Sequence, residues 1–206
     1  MEDGKLIASG AEGSVYDTEF LGRKAVAKVR APKGYRIPEL DTQLRSRRTR
    51  TEARILREAR KAGVRTPVVY MVDPEKGEIV MERAEGSTVK QIIDSDPAGA
   101  EGICAGIGRQ MATLHNAKIS HGDPTTSNII VNGGDLVFID FSMGQFPADD
   151  EAVGADMCLL ERAFSSAHPG SEDLYRILID EYMRISSDGE AVMRKVREIK
   201  ARARYT

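Results

Sequence analysis

Short apolar runs broken by a glycine turn over the first 30 residues predict strands at residues 5–9, 14–16 and 23–30, the last carrying Val26 and Val29. Gly10-Ala11-Glu12-Gly13 separates the first two and reads as the turn of a hairpin. Residues 31–38 have loop chemistry. From about residue 40 to 62 Leu44, Ile55, Leu56 and Ala59 recur at helical spacing, Gly63 follows and Pro67 lies beyond, so one long helix is expected. Two more strands, 67–72 and 77–81, flank the turn Asp73-Pro74-Glu75-Lys76-Gly77. At residues 82–86 the pattern changes from strand-rich to helix-rich, which places a hinge and divides the chain into a lobe of residues 1–84 and a lobe of residues 85–206. Helices are expected at 88–93 and 100–116, the second with Ile103, Ile107, Met111 and Leu114 on one side. Short apolar strands at 129–131 and 136–139 enclose Asn132-Gly133-Gly134-Asp135, a strong hairpin turn, and three helices follow at about 150–165, 171–186 and 188–203. The fold class is α+β, with an antiparallel-sheet N-lobe and a reduced helical C-lobe.

Composition narrows this further. The 206 residues are 41% hydrophobic and 30% charged, enough for one core or two small lobes, which excludes a disordered or fibrous chain. No stretch approaches the roughly 18 apolar residues of a membrane span, and the N-terminus lacks a signal-peptide pattern, so a cytoplasmic protein without membrane contact is expected. Cys104 and Cys158 lack metal-site or disulfide spacing and read as buried thiols. The net charge of −2 is unevenly spread: residues 23–65 carry +11, residues 66–193 carry −14 and residues 194–206 carry +5. The basic arm is either a solvated helix face or a surface for an anionic partner, nucleic acid or an acidic protein.

The segment His121-Gly122-Asp123-Pro124-Thr125-Thr126-Ser127-Asn128 runs into an apolar strand pair that ends in Ile139-Asp140-Phe141-Ser142. Phosphoryl transfer from ATP needs a carboxylate to orient the attacking hydroxyl, oxygen ligands for Mg2+ and cations on the phosphates. H-x-D, an Asn five residues after that Asp, then a hydrophobic strand and D-F is the order of kinase catalytic and metal loops. Asp123 is therefore the candidate catalytic carboxylate, and Asn128 and Asp140 are the candidate metal ligands. In the N-lobe, Gly10-Ala11-Glu12-Gly13-Ser14-Val15 fits the end of a phosphate-covering glycine loop, although Ala8 replaces its first glycine. Lys28, within Ala25-Val26-Ala27-Lys28, stands where a strand lysine meets the phosphates, and its partner on the basic helix is Glu52, with Glu58 the alternative. Gly10, Ala11, Glu12, Gly13, Val15, Lys28, Glu52 and the hinge residues Glu82 and Ala84 form the expected ATP-binding set. Asp156 begins a largely apolar helix, either as its N-terminal cap or as an orienting group for the catalytic loop. His115 and His168 read as surface or packing residues, and His121 as a loop-organising one. The absence of a P-loop disfavours a P-loop nucleotidase. Only 15 residues separate Asp140 from Asp156 and no A-P-E follows, which removes the usual peptide-docking platform.

Together these residues resemble the atypical kinase/ATPase subunit of the KEOPS (EKC) complex, the PRPK-type family, in its compact archaeal form. The most specific match is Lys33-Gly34-Tyr35-Arg36-Ile37-Pro38-Glu39-Leu40-Asp41 leading into Arg48-Thr49-Arg50-Thr51-Glu52-Ala53-Arg54, and the resemblance covers nearly the whole chain. It implies a small two-lobed protein-kinase-like fold that uses ATP and Mg2+, hydrolyses ATP and autophosphorylates on Ser/Thr while serving tRNA threonylcarbamoyladenosine formation. By position, Lys28 and Glu52 would be the ATP-orienting ion pair, Asp123 the catalytic aspartate, and Asn128 and Asp140 the Mg2+ ligands. The implied partners are the threonylcarbamoyl-transferase subunit and a small regulatory subunit. Contact with tRNA would run through residues 23–65 and a basic tail at 194–204 containing Arg194, Lys195, Arg197, Lys200, Arg202 and Arg204. Ser142 departs from the family's D-F-G glycine, and Gly13 stands where an alanine is common. The competing readings are a RIO-type or aminoglycoside-type phosphotransferase, which share H-G-D-x-x-x-x-N and I-D-F, and a largely non-catalytic tRNA-binding scaffold subunit.

Overall fold

Period-two strands followed by amphipathic helices produce two layers of different character in the computed structural model, which describes residues 4–10 and 13–203. Ala11, Glu12 and Arg204 lie outside the described residues. The first layer is an antiparallel sheet of β1 (Leu6–Gly10), β2 (Gly13–Phe20), β3 (Arg23–Val29), β4 (Val69–Asp73) and β5 (Glu78–Glu82), in the order β1-β2-β3-β5-β4. Alternation along β3 turns Ala25 and Ala27 toward an outer cluster with Val80, which Phe20 and Tyr70 cover as a stacked pair 5.4 Å apart. Val26 takes the opposite side and packs against the main core, and the same period carries Lys28 and Arg30 with it.

Helix α1 (Pro38–Lys61) crosses that inner face. It begins two residues earlier than the apolar spacing predicts, because Pro38 sits at the first helical position, where its fixed φ and missing N–H cost nothing. Thr49, Glu52, Ile55, Leu56 and Ala59 form its buried stripe at three- and four-residue intervals. Glu52 is therefore on the sheet-facing side, whereas Glu58 bonds to Lys61 and Arg57 nearer solvent.

The second layer starts at a two-residue strand, β6 (Ser87–Thr88), which the apolar pattern is too short to announce. It leads into α2 (Val89–Ser95), whose Thr88 and Gln91 form a reciprocal capping box. After α3 (Glu101–Asn116) come β7 (Ile129–Asn132) and β8 (Asp135–Phe138), which form with β6 a three-stranded sheet in the order β6-β7-β8. Gly133 and Gly134 both have positive φ, 59° and 95°, as the two-residue hairpin turn requires. Helices α4 (Asp150–Ala167), α5 (Glu172–Ile185) and α6 (Gly189–Ala203) complete the chain. One core runs through both layers, from Ile55, Leu56 and Ile79 to Phe138, Phe141, Phe164 and Tyr182. Cys104 and Cys158 are free and buried within it, and burial pushes the Cys104 thiol up to about 11. Among the described residues no helix is long and apolar enough to cross a membrane.

Helices α3 and α5 approach closely at Gly108. A Cβ on Gly108 would stand 2.1 Å from the Leu178 carbonyl oxygen and 3.0 Å from the Tyr182 nitrogen, both of them backbone atoms. Gly108→Ala is expected to force the helices apart and cost about 1–3 kcal/mol. A fall in thermal midpoint of roughly 2–4 °C per kcal/mol is the readout.

Candidate active site

Lys28 is 4% exposed and stands between two acidic groups, with its Nζ 2.8 Å from Glu52 Oε1 and 2.8 Å from Asp140 Oδ1. Those carboxylates come from α1 and from the segment after β8, so one ammonium ties the sheet, the long helix and the metal-loop segment together. Glu52 is buried and also accepts from Arg30 Nη2. Arg30 lies two positions beyond Lys28, and strand periodicity alone puts it on the same face, a signal the motif reading passes over.

Asp140 adopts φ 61°, a left-handed conformation uncommon for a residue with a side chain. Its Oδ1 accepts from Ser142 Oγ at 2.6 Å and Ser142 N at 3.2 Å. Burial acts to raise the pKa of Asp140, but Lys28 and the Ser142 bonds outweigh it and hold the carboxyl down to about 2. Asp140 is thus an anion throughout the physiological range. The serine in place of a D-F-G glycine anchors the carboxylate with its hydroxyl.

Asp123 is exposed at the surface of the loop. Asn128 Nδ2 donates both to its carbonyl oxygen and to its Oδ2, each at 2.9 Å. The Asn128 carbonyl in turn accepts from Ile139 N at 2.9 Å, so the catalytic-loop and metal-loop segments are bonded neighbours. The loop is held from below by Asp156. Its Oδ2 accepts from His121 N at 2.6 Å, its Oδ1 accepts from Gly122 N at 2.8 Å, and His115 Nε2 lies 3.3 Å from Oδ2. The placement of Asp156 at a helix start is corrected here: α4 begins at Asp150, and Asp149 caps it by accepting from Ala152 N. Asp156, buried in the second turn, faces the catalytic loop. His115 and His168 are both buried, the first against the Tyr182 hydroxyl and the second against Thr126 Oγ1.

His121 is fully buried and tilted over the Phe141 ring at 4.3 Å. Desolvation pulls its proton affinity below the ordinary value despite the opposing fields of Asp156, Asp140 and Asp123, and His168 is shifted down for the same first reason. An imidazole that stays neutral when folded but protonates freely when unfolded contributes stability that is complete above about pH 6.5 and is lost as pH falls below it. The thermal midpoint is expected to fall between pH 7 and pH 5, and a His121→Asn variant, measured against wild type at each pH, should show a shallower fall.

The remaining expected nucleotide residues divide. Gly10 and Gly13 pair at the end of the hairpin, and Val15 lies directly across from Lys28 in the β2–β3 register. The Glu82 carboxylate is committed to Arg65 and to Val68 N, and Ala84 is half-buried just after β5. Asn128 and Asp140 offer an amide and a carboxylate, the hard oxygen donors that suit Mg2+, which completes its shell with phosphate oxygens and water. Among the described residues no group of three or more His, Cys, Asp or Glu is placed to hold a metal ion. On the basic surface, Arg47, Arg50, Arg54, Arg57 and Arg60 of α1 are exposed. Of the tail cations, Lys195 pairs with Glu198, Lys200 with Glu161 and Arg202 with Glu151, while Arg194 and Arg197 are exposed.

A five-stranded antiparallel sheet with a Lys–Glu pair to its long helix, above a helical lobe that presents H-x-D, Asn and D-F, defines a protein-kinase-like fold of reduced size. A family model described as RIO domain matches residues 22–154. The chain is 41% identical over 213 residues to the KEOPS complex subunit Bud32 of Pyrococcus abyssi, covering 98% of this chain and 96% of that one. It is 42% identical over 203 residues to a probable bifunctional tRNA threonylcarbamoyladenosine biosynthesis protein of Methanothermobacter thermautotrophicus, of whose length the match spans 36%. It also matches the EKC/KEOPS complex subunit bud32 of Dictyostelium discoideum at 36% identity, over 98% of this chain and 84% of that one. Among solved structures the Rio2 kinase of Chaetomium thermophilum, crystallised as an ADP/Mg2+-phosphoaspartate complex, shares the fold with a TM-score of 0.60 at 15% identity, covering 95% of this chain and 70% of that one. The chain belongs to the RIO-domain family, in the Bud32 branch.

Proposed function

We propose that this chain is a Mg-ATP-dependent ATPase and atypical Ser/Thr kinase that serves tRNA threonylcarbamoyladenosine formation within a KEOPS-type complex. The observation that carries the reading is Lys28, held 2.8 Å from both Glu52 and Asp140, since this arrangement sets a lysine for the phosphates beside a carboxylate for the metal. Bound Mg2+ would supply charge neutralisation on the phosphates, with Asn128 and Asp140 as its protein ligands. Lys28 would then exchange one carboxylate contact for phosphate oxygens while Glu52 keeps its ammonium in place. Asp123, fixed by Asn128, would orient water or a hydroxyl toward the terminal phosphate. Gly10, Ala11, Glu12, Gly13 and Val15 would cover the nucleotide, with the main chain near Glu82 and Ala84 beside it. The cleft would lie between a lobe of residues 1–84 and one of residues 85–206.

The proposed partners are a threonylcarbamoyl-transferase subunit and a small regulatory subunit, in a cytoplasmic complex. Arg47 and Arg50 of α1 are the better candidates for tRNA contact, because Lys195, Lys200 and Arg202 of the tail are paired with glutamates, as Arg57 of α1 is with Glu58. The test is phosphate release from Mg-ATP by the purified chain, alone and then with the transferase subunit and tRNA. Release that rises with the partner supports a regulated ATPase. ATP binding with no release under any condition would overturn the reading in favour of a scaffold.

A further inference from the structure

We propose that His168 is a positioning residue for phosphoryl transfer, fixing the catalytic loop through the hydroxyl of Thr126. The proposal rests on the reading of the chain as an ATPase and kinase. His168 ends α4, where its backbone N–H donates to the Phe164 carbonyl at 2.9 Å and its ring stands edge-on to the Phe164 ring at 5.0 Å. The residue is 5% exposed. Its Nε2 lies 2.9 Å from Thr126 Oγ1, a buried contact between positions 42 apart in the chain.

Thr126 is where a distant side chain can set the loop. It is buried and opens the single helical turn Thr126–Asn128. The turn is tied closely to Asp123: Thr125 N donates to the Asp123 carbonyl at 2.9 Å, and Asn128 N donates to the Thr125 carbonyl at 3.0 Å. Asn128, two residues beyond Thr126, gives Nδ2 to the carbonyl and the carboxylate of Asp123. Any rotation of this turn therefore moves Asn128 and its hold on Asp123 together. Asp156 secures the start of the loop at the His121 and Gly122 amides, and His168 secures its end. A misplacement of about 1 Å from a change remote from the chemistry costs roughly a hundredfold in rate.

The two ring nitrogens have different neighbours. Asp94 Oδ1, on α2, stands 3.3 Å from Nδ1, a contact of charge without the alignment of a hydrogen bond. Lys90 bonds to Asp94 and holds its carboxyl below the ordinary range, so Asp94 is an anion. That anion draws the ring proton to Nδ1 and leaves the Nε2 lone pair to accept the Thr126 O–H. Burial favours the neutral ring, which keeps Nε2 an acceptor. The imidazole thus joins α2, the end of α4 and the catalytic loop at one point.

The test compares two amides. His168→Gln carries its amide to where Nε2 stands, whereas His168→Asn places it at Nδ1 and leaves Thr126 without an acceptor. His168→Asn and the isosteric Thr126→Val are expected to lower kcat for phosphate release from Mg-ATP by about tenfold to a hundredfold, with KM for ATP within about twofold of wild type. His168→Gln should keep kcat within about threefold, and the pair His168→Asn with Thr126→Val should lose no more than either alone. The Asn128 side-chain amide resonances of the apo chain, followed by 1H–15N NMR, should shift in His168→Asn and Thr126→Val and hold their place in His168→Gln. Equal loss of kcat in the Gln and Asn variants, additive losses in the pair, or a lowered unfolding midpoint with kcat unchanged overturns the positioning role. Stationary Asn128 resonances overturn it even in a chain that releases no phosphate. Shifted resonances in such a chain support the hold on the loop and overturn only the ATPase reading.

Discussion

Asp123→Ala is expected to reduce phosphate release from Mg-ATP by about a thousandfold or more, in line with removal of a group that acts on the reacting atoms. Because Asp123 is exposed and Asn128 retains the residue-123 carbonyl as an acceptor, the unfolding midpoint should stay within about 2 °C of wild type. Mg-ATP binding measured by calorimetry should survive the change. Asp140→Ala gives the complementary result: release falls by a similar factor and the Mg2+ dependence of binding goes with it, since of the two expected metal ligands, Asn128 and Asp140, only Asp140 carries a negative charge. Wild-type turnover in Asp123→Ala would remove that residue from the chemistry. Equal loss of nucleotide binding in both variants would merge two roles that the geometry keeps apart.

Asp156→Ala should have the largest effect on stability. It leaves the amides of His121 and Gly122 without the acceptors that hold them at 2.6 and 2.8 Å, inside a region where water does not replace them. Two unsatisfied buried donors cost about 2–5 kcal/mol together, or roughly 5–15 °C in midpoint for a chain of this size. Gly122 makes relaxation difficult: its φ is 85°, and a Cβ there would fall 2.2 Å from the Met143 carbonyl carbon, so the loop is tightly enclosed. Asp156→Asn keeps one acceptor oxygen and should fall between the two in both midpoint and turnover. If Asp156→Ala unfolds at the wild-type temperature, the loop is held by other contacts and the residue has no positioning role.

Part of the site was legible because kinase chemistry is written at short range. H-x-D with Asn five residues on, and D-F after a hairpin, keep their spacing along the chain, and the structure keeps Asn128 bonded to Asp123. Glu52 was readable from helix phase: it shares a buried stripe with Ile55, Leu56 and Ala59, and on that stripe it meets Lys28. The boundary of α1 at Pro38 and the two-residue β6 were less legible, since a first-turn proline and a pair of polar residues leave no apolar period to detect. Asp156 was ambiguous for a different reason. Capping of its own helix and capping of a distant loop demand the same residue type, and the competing cap, Asp149, becomes visible only when the helix start is placed.

The sequence by itself determined the alternation that makes the sheet, the helical stripe that commits Glu52 inward, the hairpin at Gly133-Gly134 and the identities of the chemically competent residues. These depend on local periodicity and side-chain chemistry, which act over a few residues. Tertiary structure alone decided that Lys28 bonds Asp140 across 112 positions, that Asp156 reaches back 35 positions to the catalytic loop, and that Arg30 is buried with two N–H groups unmatched. Such pairings are set by how two lobes close on a shared core, and burial is what turns an ordinary charge into one that must find a partner.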